Sequence, residues 1–351
     1  MIKAILISLI IVFIFKTQTV FSKNILYDVN NISVTGEIKT NLDREKLIET
    51  ALQKAFLKFI NKILLNEDIR KISNTDTKII KNLVFSYQIF NNQIDQNKQN
   101  ILTINIKFDQ KKFNKFLASK GISYADVSDI SLKVLPIFVK DKEVFLYSDN
   151  FFYKNWKKNG EKNNELVKYN LALEDIEKLD YINRNKENLE VINGKILFSD
   201  YANENTALIL IYFSENKLRS YIKTFIQKKE INKNIELNFT LNDPEGSYIQ
   251  AIEKIKNEIT QIWKSQNLID INTPSFLDFT LEIKNTNDYL KITNILNNID
   301  IVDNFRVIEL SKEHAKLRVK YNGKIMQIKN KLNVQNIEVS IEDNEWKLRF
   351  N

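Results

Sequence analysis

No cysteine occurs in the chain, and histidine occurs once, at His314. The absence of cysteine excludes disulfides, thiol catalysis, cysteine-ligated zinc or iron–sulfur sites and a lipoprotein anchor. A lone histidine excludes histidine-rich metal sites and argues against a Ser-His-Asp mechanism. Six glycines and three prolines leave little room for glycine-rich phosphate loops. No GxGxxG, Walker, HExxH or GxSxG pattern is present, and no cofactor or metal is expected. Arginine is scarce as well: most of the 52 basic residues are lysine. Base and phosphate readers favour arginine's planar fork. The net charge of +8 is therefore read as lysine on solvated faces, and no nucleic-acid role is expected.

What is present supports packed cores. Apolar residues make up 43% of the 351 positions and aromatics 11%, which argues against wholesale disorder. Residues 1–22 open with Lys3, then a twelve-residue run from Ala4 to Phe15 that is apolar but for Ser8, then a polar stretch to Ser22. A membrane-spanning helix needs ~20 apolar residues, and this run has the length of a signal peptide's core. Val20 and Ser22 fit the positions before a cleavage site at Lys23. The expectation is export to the periplasm. An uncleaved N-terminal anchor is the alternative, and the one expected route to a membrane. Loss of this segment removes Lys3 and Lys16 and no acid.

Three modules are expected in the remainder, giving an α/β (α+β) chain. The first, 24–120, reads as a βαββα module. Ile32, Val34 and Gly36 alternate on a strand. Leu47, Ala51, Leu52, Ala55, Phe56, Phe59, Ile60 and Ile63 form one face of a long helix. Strands follow at 83–91 and 100–108, the latter alternating Leu102, Ile104, Ile106 and Phe108, and then a helix from Phe113 to Ser119. The second, 130–270, reads as a central α/β sheet domain. Its strand 131–140 is continuously apolar, which implies burial on both faces. Helical patterns at 173–179 and 188–201 precede strands at 206–213, 217–228 and 231–241. A long amphipathic helix, 247–266, follows the turn Asp243-Pro244-Glu245-Gly246. The third, 275–351, reads as a C-terminal ferredoxin-like split βαβ module with one extra terminal strand.

The order Val34-Thr35-Gly36, long helix, Leu83 to Ile89, then Leu102 to Asp109 leading into Phe113, Leu117 and Gly121, resembles a known pattern. With the apolar strand 132–139 and the stretch 207–213, it is similar to the exported proteobacterial family catalogued as domain of unknown function 2066. That resemblance implies an exported protein and supplies no catalytic residues. At fold level the first module also resembles the small αβ domains of outer-membrane assembly and secretion accessory proteins, which does not establish function.

His314, in Ser311-Lys312-Glu313-His314-Ala315, reads as a solvated turn residue. Glu174, Asp175, Glu177 and Asp180 read as one solvated helix face, with Glu174 paired to Lys178. Asp126 and Asp129 read as turn caps, and Asp109 as the cap of the helix after it. The most unusual cluster is Phe151, Phe152, Tyr153 and Trp156 among lysines, in a stretch read as irregular. Phe151, Tyr153 and Trp156 are the candidate binding residues, because aromatics interleaved with lysine hold polymers or protein partners. The competing reading is that Phe151 and Trp156 close a core. The expected function is a non-enzymatic, envelope-associated binding module for an envelope protein or surface polymer. The competing expectation is an exported hydrolase using two carboxylates in the second module.

Overall fold

The computed structural model describes residues 25–94, 100–126, 129–157, 166–271, 273–342 and 345–350. The N-terminal segment read as a signal peptide lies outside the described residues, as do Val127, Ser128 and Lys158. The architecture is mixed α/β in several small modules, with a sheet in each of the three expected segments. By compactness the chain forms two units. One gathers Met1–Phe59, Asn74–Ser123 and Ile269–Asn351, and the other gathers Ile60–Ser73 and Tyr124–Leu268.

The N-terminal sheet comprises β1 (Asp28–Gly36), β2 (Val84–Ile94) and β3 (Asn100–Phe108), in the order β1-β3-β2 and antiparallel throughout. Helix α1 (Asn41–Ile63) carries the long apolar face. Phe59 of that face stacks on Phe108 at 5.1 Å and meets Phe113 edge-on at 4.7 Å. Its start is capped by Thr40, the residue before Asn41. Asp43 reaches back to the Thr40 amide at 2.9 Å while Thr40 Oγ1 accepts from the Asp43 amide at 3.3 Å, a reciprocal cap one residue earlier. Two short helices follow, α2 (Asn66–Ile72) and α3 (Thr77–Leu83), then α4 (Gln110–Ser119), capped by Asp109 through the Lys112 amide at 3.0 Å. Gly36 ends β1 where an added Cβ would stand 2.7 Å from a terminal methyl of Leu47, so a side chain there would displace the Leu47 tip.

The central sheet is built on β4 (Ile130–Lys140), with β5 (Glu143–Phe145), β6 (Val167–Leu171), β7 (Asn205–Ser214), β8 (Lys217–Ile226) and β9 (Lys229–Leu237). The order is β9-β8-β7-β4-β5, with β6 also on β4. The strands β6, β4 and β7 are mutually parallel, and the others pair antiparallel. Both faces are covered, as the apolar run predicts. Leu132, Val134, Ala207, Ile209 and Ile211 pack with Trp156, Ile255, Ile259 and Trp263 on one side. Leu135, Ile137, Leu208 and Leu210 pack with Ile182, Leu189, Leu197 and Phe198 on the other. The helices concerned are α5 (Phe151–Asn155), α6 (Ile176–Arg184), the single turn α7 (Gly194–Leu197) and α8 (Pro244–Gln266). A proline inside a buried strand removes a ladder donor. Pro136 sits where the partner of β4 changes from β6, which pairs up to Val134, to β5, which pairs from Phe138. The buried Asn150 side chain fills this gap. It donates to the Pro136 carbonyl at 2.9 Å and accepts from the Phe152 amide at 2.8 Å, which starts α5.

The C-terminal sheet contains β10 (Ser275–Glu282), β11 (Val302–Leu310), β12 (His314–Tyr321), β13 (Ile337–Glu342) and β14 (Glu345–Phe350), with α9 (Thr286–Asn298) and α10 (Ile325–Val334). Its order is β11-β12-β10-β14-β13. The βαββαβ core of a split βαβ arrangement is present. The extra strand β14 is not added at the edge. It inserts parallel to β10 and pushes β13 outward. Alternation along β10 and β12 buries Phe279, Leu281, Ala315, Leu317 and Val319 with Ile292, Leu296, Ile328 and Leu332 of the two helices. Among the described residues, neither α9 nor α10 packs on the opposite face of this sheet, which is lined by polar side chains.

Candidate functional site

That uncovered face holds a shallow trough of about 750 Å³, lined by Phe276, Asp278, Thr280, Arg306, Lys316, Arg318, Glu345 and Trp346. The period of two along each strand puts polar residues there. Strand register then arranges them in rows. Asp278, Arg318 and Arg306 stand side by side across β10, β12 and β11, and Thr280, Lys316 and Glu309 form the adjacent row. Asp278 receives a two-pronged bond from Arg318, with Nε and Nη2 each 2.7 Å from a carboxylate oxygen. Lys316 bonds Glu345 at 2.9 Å, and Thr280 adds a weaker contact at 3.4 Å. Lys320 pairs with Asp303 at 2.6 Å, and Arg349 with Glu342 at 2.7 Å. The Arg318 hydrogen bonds hold the Asp278 carboxyl below its ordinary range, and the Lys316 hydrogen bond does the same for Glu345. Each carboxylate of the trough is thus ionised and tied to a cation.

Arg306 breaks the pattern. It is exposed and stands directly across from Arg318. It makes no hydrogen bond or ion pair among the described residues. Like charges opposite one another on a sheet face are unfavourable; Asp278, hydrogen-bonded to Arg318, acts on Arg306 only through space. Beside the row stands Phe276, which is 62% exposed.

The residues singled out from sequence lie elsewhere. Trp156 is fully buried in the core of the central unit, with its ring 6.1 Å from that of Tyr169. Phe151 is half-buried against Phe152 and Tyr248. Tyr153 turns to the other face of the sheet, where its hydroxyl donates to the Ala172 carbonyl at 2.8 Å. The three side chains therefore share no surface, and Trp156 takes the core role. The stretch read as irregular begins as helix α5, because Asn150 caps it.

The acidic cluster is also rearranged. Lys178 is buried rather than solvated, and its ammonium contacts Asp175 at 3.0 Å and Asp200, not Glu174. Burial works against the charged amine, but hydrogen bonds to Asp200 and Asp175 outweigh it and raise the pKa. Asp175 caps α6 through the Glu177 and Lys178 amides and is held below the usual carboxylate range by those bonds to Lys178. Asp180 forms an exposed pair with Arg184 at 2.8 Å. His314 lies at the start of β12, beside Ser311 at 3.0 Å and Glu309 at 3.2 Å. Among the described residues no group of histidine, aspartate and glutamate is placed to hold a metal ion, and no helix is long and apolar enough to cross a membrane. Sequence reasoning missed Arg306 and its neighbours. Their signal was the polar half of the alternation in β10 and β12, which identifies an uncovered face but not which residues meet on it.

No family model matches the chain. Over 216 residues it is 24% identical to an uncharacterised protein of Methanocaldococcus jannaschii, which covers 54% of this chain and 43% of that protein. The chain thus spans less than half the length of this relative, to which it is similar at a level that assigns no family.

Proposed function

We propose that the chain is an exported, non-enzymatic binding module of the cell envelope, contacting a protein or surface polymer through the uncovered face of its C-terminal sheet. The observation that carries this reading is the electrostatics of the trough. Hydrolysis by two carboxylates needs one of them kept protonated by a raised pKa. Asp278 and Glu345 are both lowered by bound cations. In the central unit, Asp175 and Asp200 converge on the Lys178 ammonium, and the bonds to Lys178 hold Asp175 below the usual carboxylate range. A solvated face with an exposed aromatic and an arginine that makes no hydrogen bond of its own suits recognition instead. Export rests on the N-terminal segment and on the resemblance to an exported family. The alternative of an uncleaved anchor keeps the same face available.

The test is a photo-crosslinking residue placed at Phe276 in living cells, with Ile176, which is 85% exposed, as the control position. A specific adduct at Phe276 and none at Ile176 supports the reading, and equal, diffuse labelling at both sites counts against it. N-terminal sequencing of the envelope fraction decides the compartment: a start at Lys23 indicates export with cleavage, and an intact Met1 indicates the anchored form.

A further inference from the structure

We propose that strand β11 is an edge that takes up a partner strand, and that the partner presents an acidic residue opposite Arg306 with an apolar residue on either side of it. This deepens the binding reading and rests on it. Strand β11 ends the sheet, so the backbone groups on its outer side have no ladder partner within the sheet. Its pairing with β12 is regular from Asn304 to Val307, between two register shifts, and Arg306 lies inside that regular stretch. An extended peptide is the one shape that satisfies such a row of donors and acceptors.

Charge selects what that peptide carries. Across the face, the Arg306 row reads Asp278, Arg318, Arg306, which is one negative followed by two positives. The neighbouring cations Lys316 and Lys320 each have an acid, Glu345 and Asp303. A carboxylate on a sixth strand would complete the row and relieve the repulsion between the two arginines. The opposite side of β11 sets the flanking residues. Phe305 and Val307 share the register of the buried Val319 and Leu317, yet Phe305 is only half-buried and Val307 is 38% exposed. Residues flanking the acid on the added strand would project to that side and cover them. A second copy of the chain paired antiparallel about Arg306 would set arginine against arginine, so charge disfavours self-association.

The experiment uses the purified chain and a labelled peptide of seven residues, a valine-glutamate-valine centre between threonine pairs, followed by fluorescence anisotropy. The same peptide with glutamine, and with lysine, in place of glutamate completes the set. The glutamate peptide should bind about tenfold more tightly than the glutamine one, with the preference shrinking as salt rises. Arg306→Gln should remove the preference, and Arg306→Glu should transfer it to the lysine peptide. Hydrogen exchange should show new protection in residues 304–307 on binding. Equal binding of the three peptides, no binding of any, or protection elsewhere overturns the proposal. If that happens while the Phe276 crosslink persists, the binding module stands and only the edge-strand mode falls. Loss of both removes the reading beneath it.

Discussion

Lys264 allows a physical account of the central unit to be tested by pH alone. Its side chain is 2% exposed, and its ammonium donates to the backbone carbonyls of Asn61 and, at 2.8 Å, Leu64. These are orphan carbonyls at the end of α1, where a cation also meets the negative end of the helix dipole. Burial lowers the lysine pKa from 10.5 to about 8. Substitution by methionine keeps the aliphatic packing and removes the donor. Two buried carbonyls left unpaired cost about 1–3 kcal/mol each. A depression of this size corresponds to about 3 kcal/mol held against the charged form, and the substitution returns that amount. The two effects nearly cancel at neutral pH, so Lys264→Met should lie within about 2 kcal/mol of wild type at pH 7.

The pH profile separates them. Between the folded pKa near 8 and the unfolded value of 10.5, the unfolded lysine holds a proton that the folded one has released. Stability therefore rises with pH across this window. The wild-type advantage over Lys264→Met should grow by about 3 kcal/mol in total from pH 8 to pH 10.5. Urea unfolding followed by tryptophan fluorescence measures it, since Trp263 is buried beside the site. Taking the difference between two proteins cancels the titration of every other group. A flat or falling difference across this window would refute the argument.

Two further predictions concern the same unit. Trp156→Ala should cost about 3–5 kcal/mol in urea unfolding, as for a buried ring removed from a packed core; a change under about 1 kcal/mol would return Trp156 to the surface role expected from sequence. At the start of α8, the Asp243 carboxylate accepts from the Gly246 amide at 3.0 Å, and a Cβ on Gly246 would stand 2.0 Å from its oxygen. Gly246→Ala and Asp243→Ala should each cost about 1 kcal/mol, and the double variant little more than either single one; full additivity in a thermal melt would show that the cap is not the shared cause.

Legibility followed the length and purity of the apolar pattern. Helices α1 and α8 repeat their apolar face over many turns, and β3 and β4 alternate or run without interruption, so all four were readable. The five-residue strand β6 is not legible in the sequence, because Lys168, Tyr169 and Asn170 dilute its apolar signal. Helix α5 was hidden because its determinant is the Asn150 side chain, bound to a carbonyl fourteen residues earlier. The insertion of β14 between β10 and β13 leaves no trace in local periodicity, since the period records which face is buried and not which strand is adjacent. The Lys178 pairing failed for the same reason. Its partner Asp200 is 22 residues away, beyond any helical spacing rule.

The same limit explains why the candidate site is not legible in the sequence. Each of its residues is ordinary in sequence, a charge in the polar half of an amphipathic strand, and solvated charges on an uncovered sheet face serve to keep that face from associating. Most of this face fits that role, since Asp278 with Arg318, Lys316 with Glu345 and Lys320 with Asp303 neutralise one another. A face built only for solubility would be indifferent to where its charges stand, provided that opposites adjoin. Arg306 does not obey this. It is opposed by another arginine whose acid is already engaged, on the strand whose outer edge is open. The cost is small in water and becomes an attraction when an acid arrives from outside. Repulsion placed at an unpaired edge selects between partners in a way that a neutral edge cannot, and that is the physical reason for assigning recognition to β11 rather than to the aromatic cluster around Trp156.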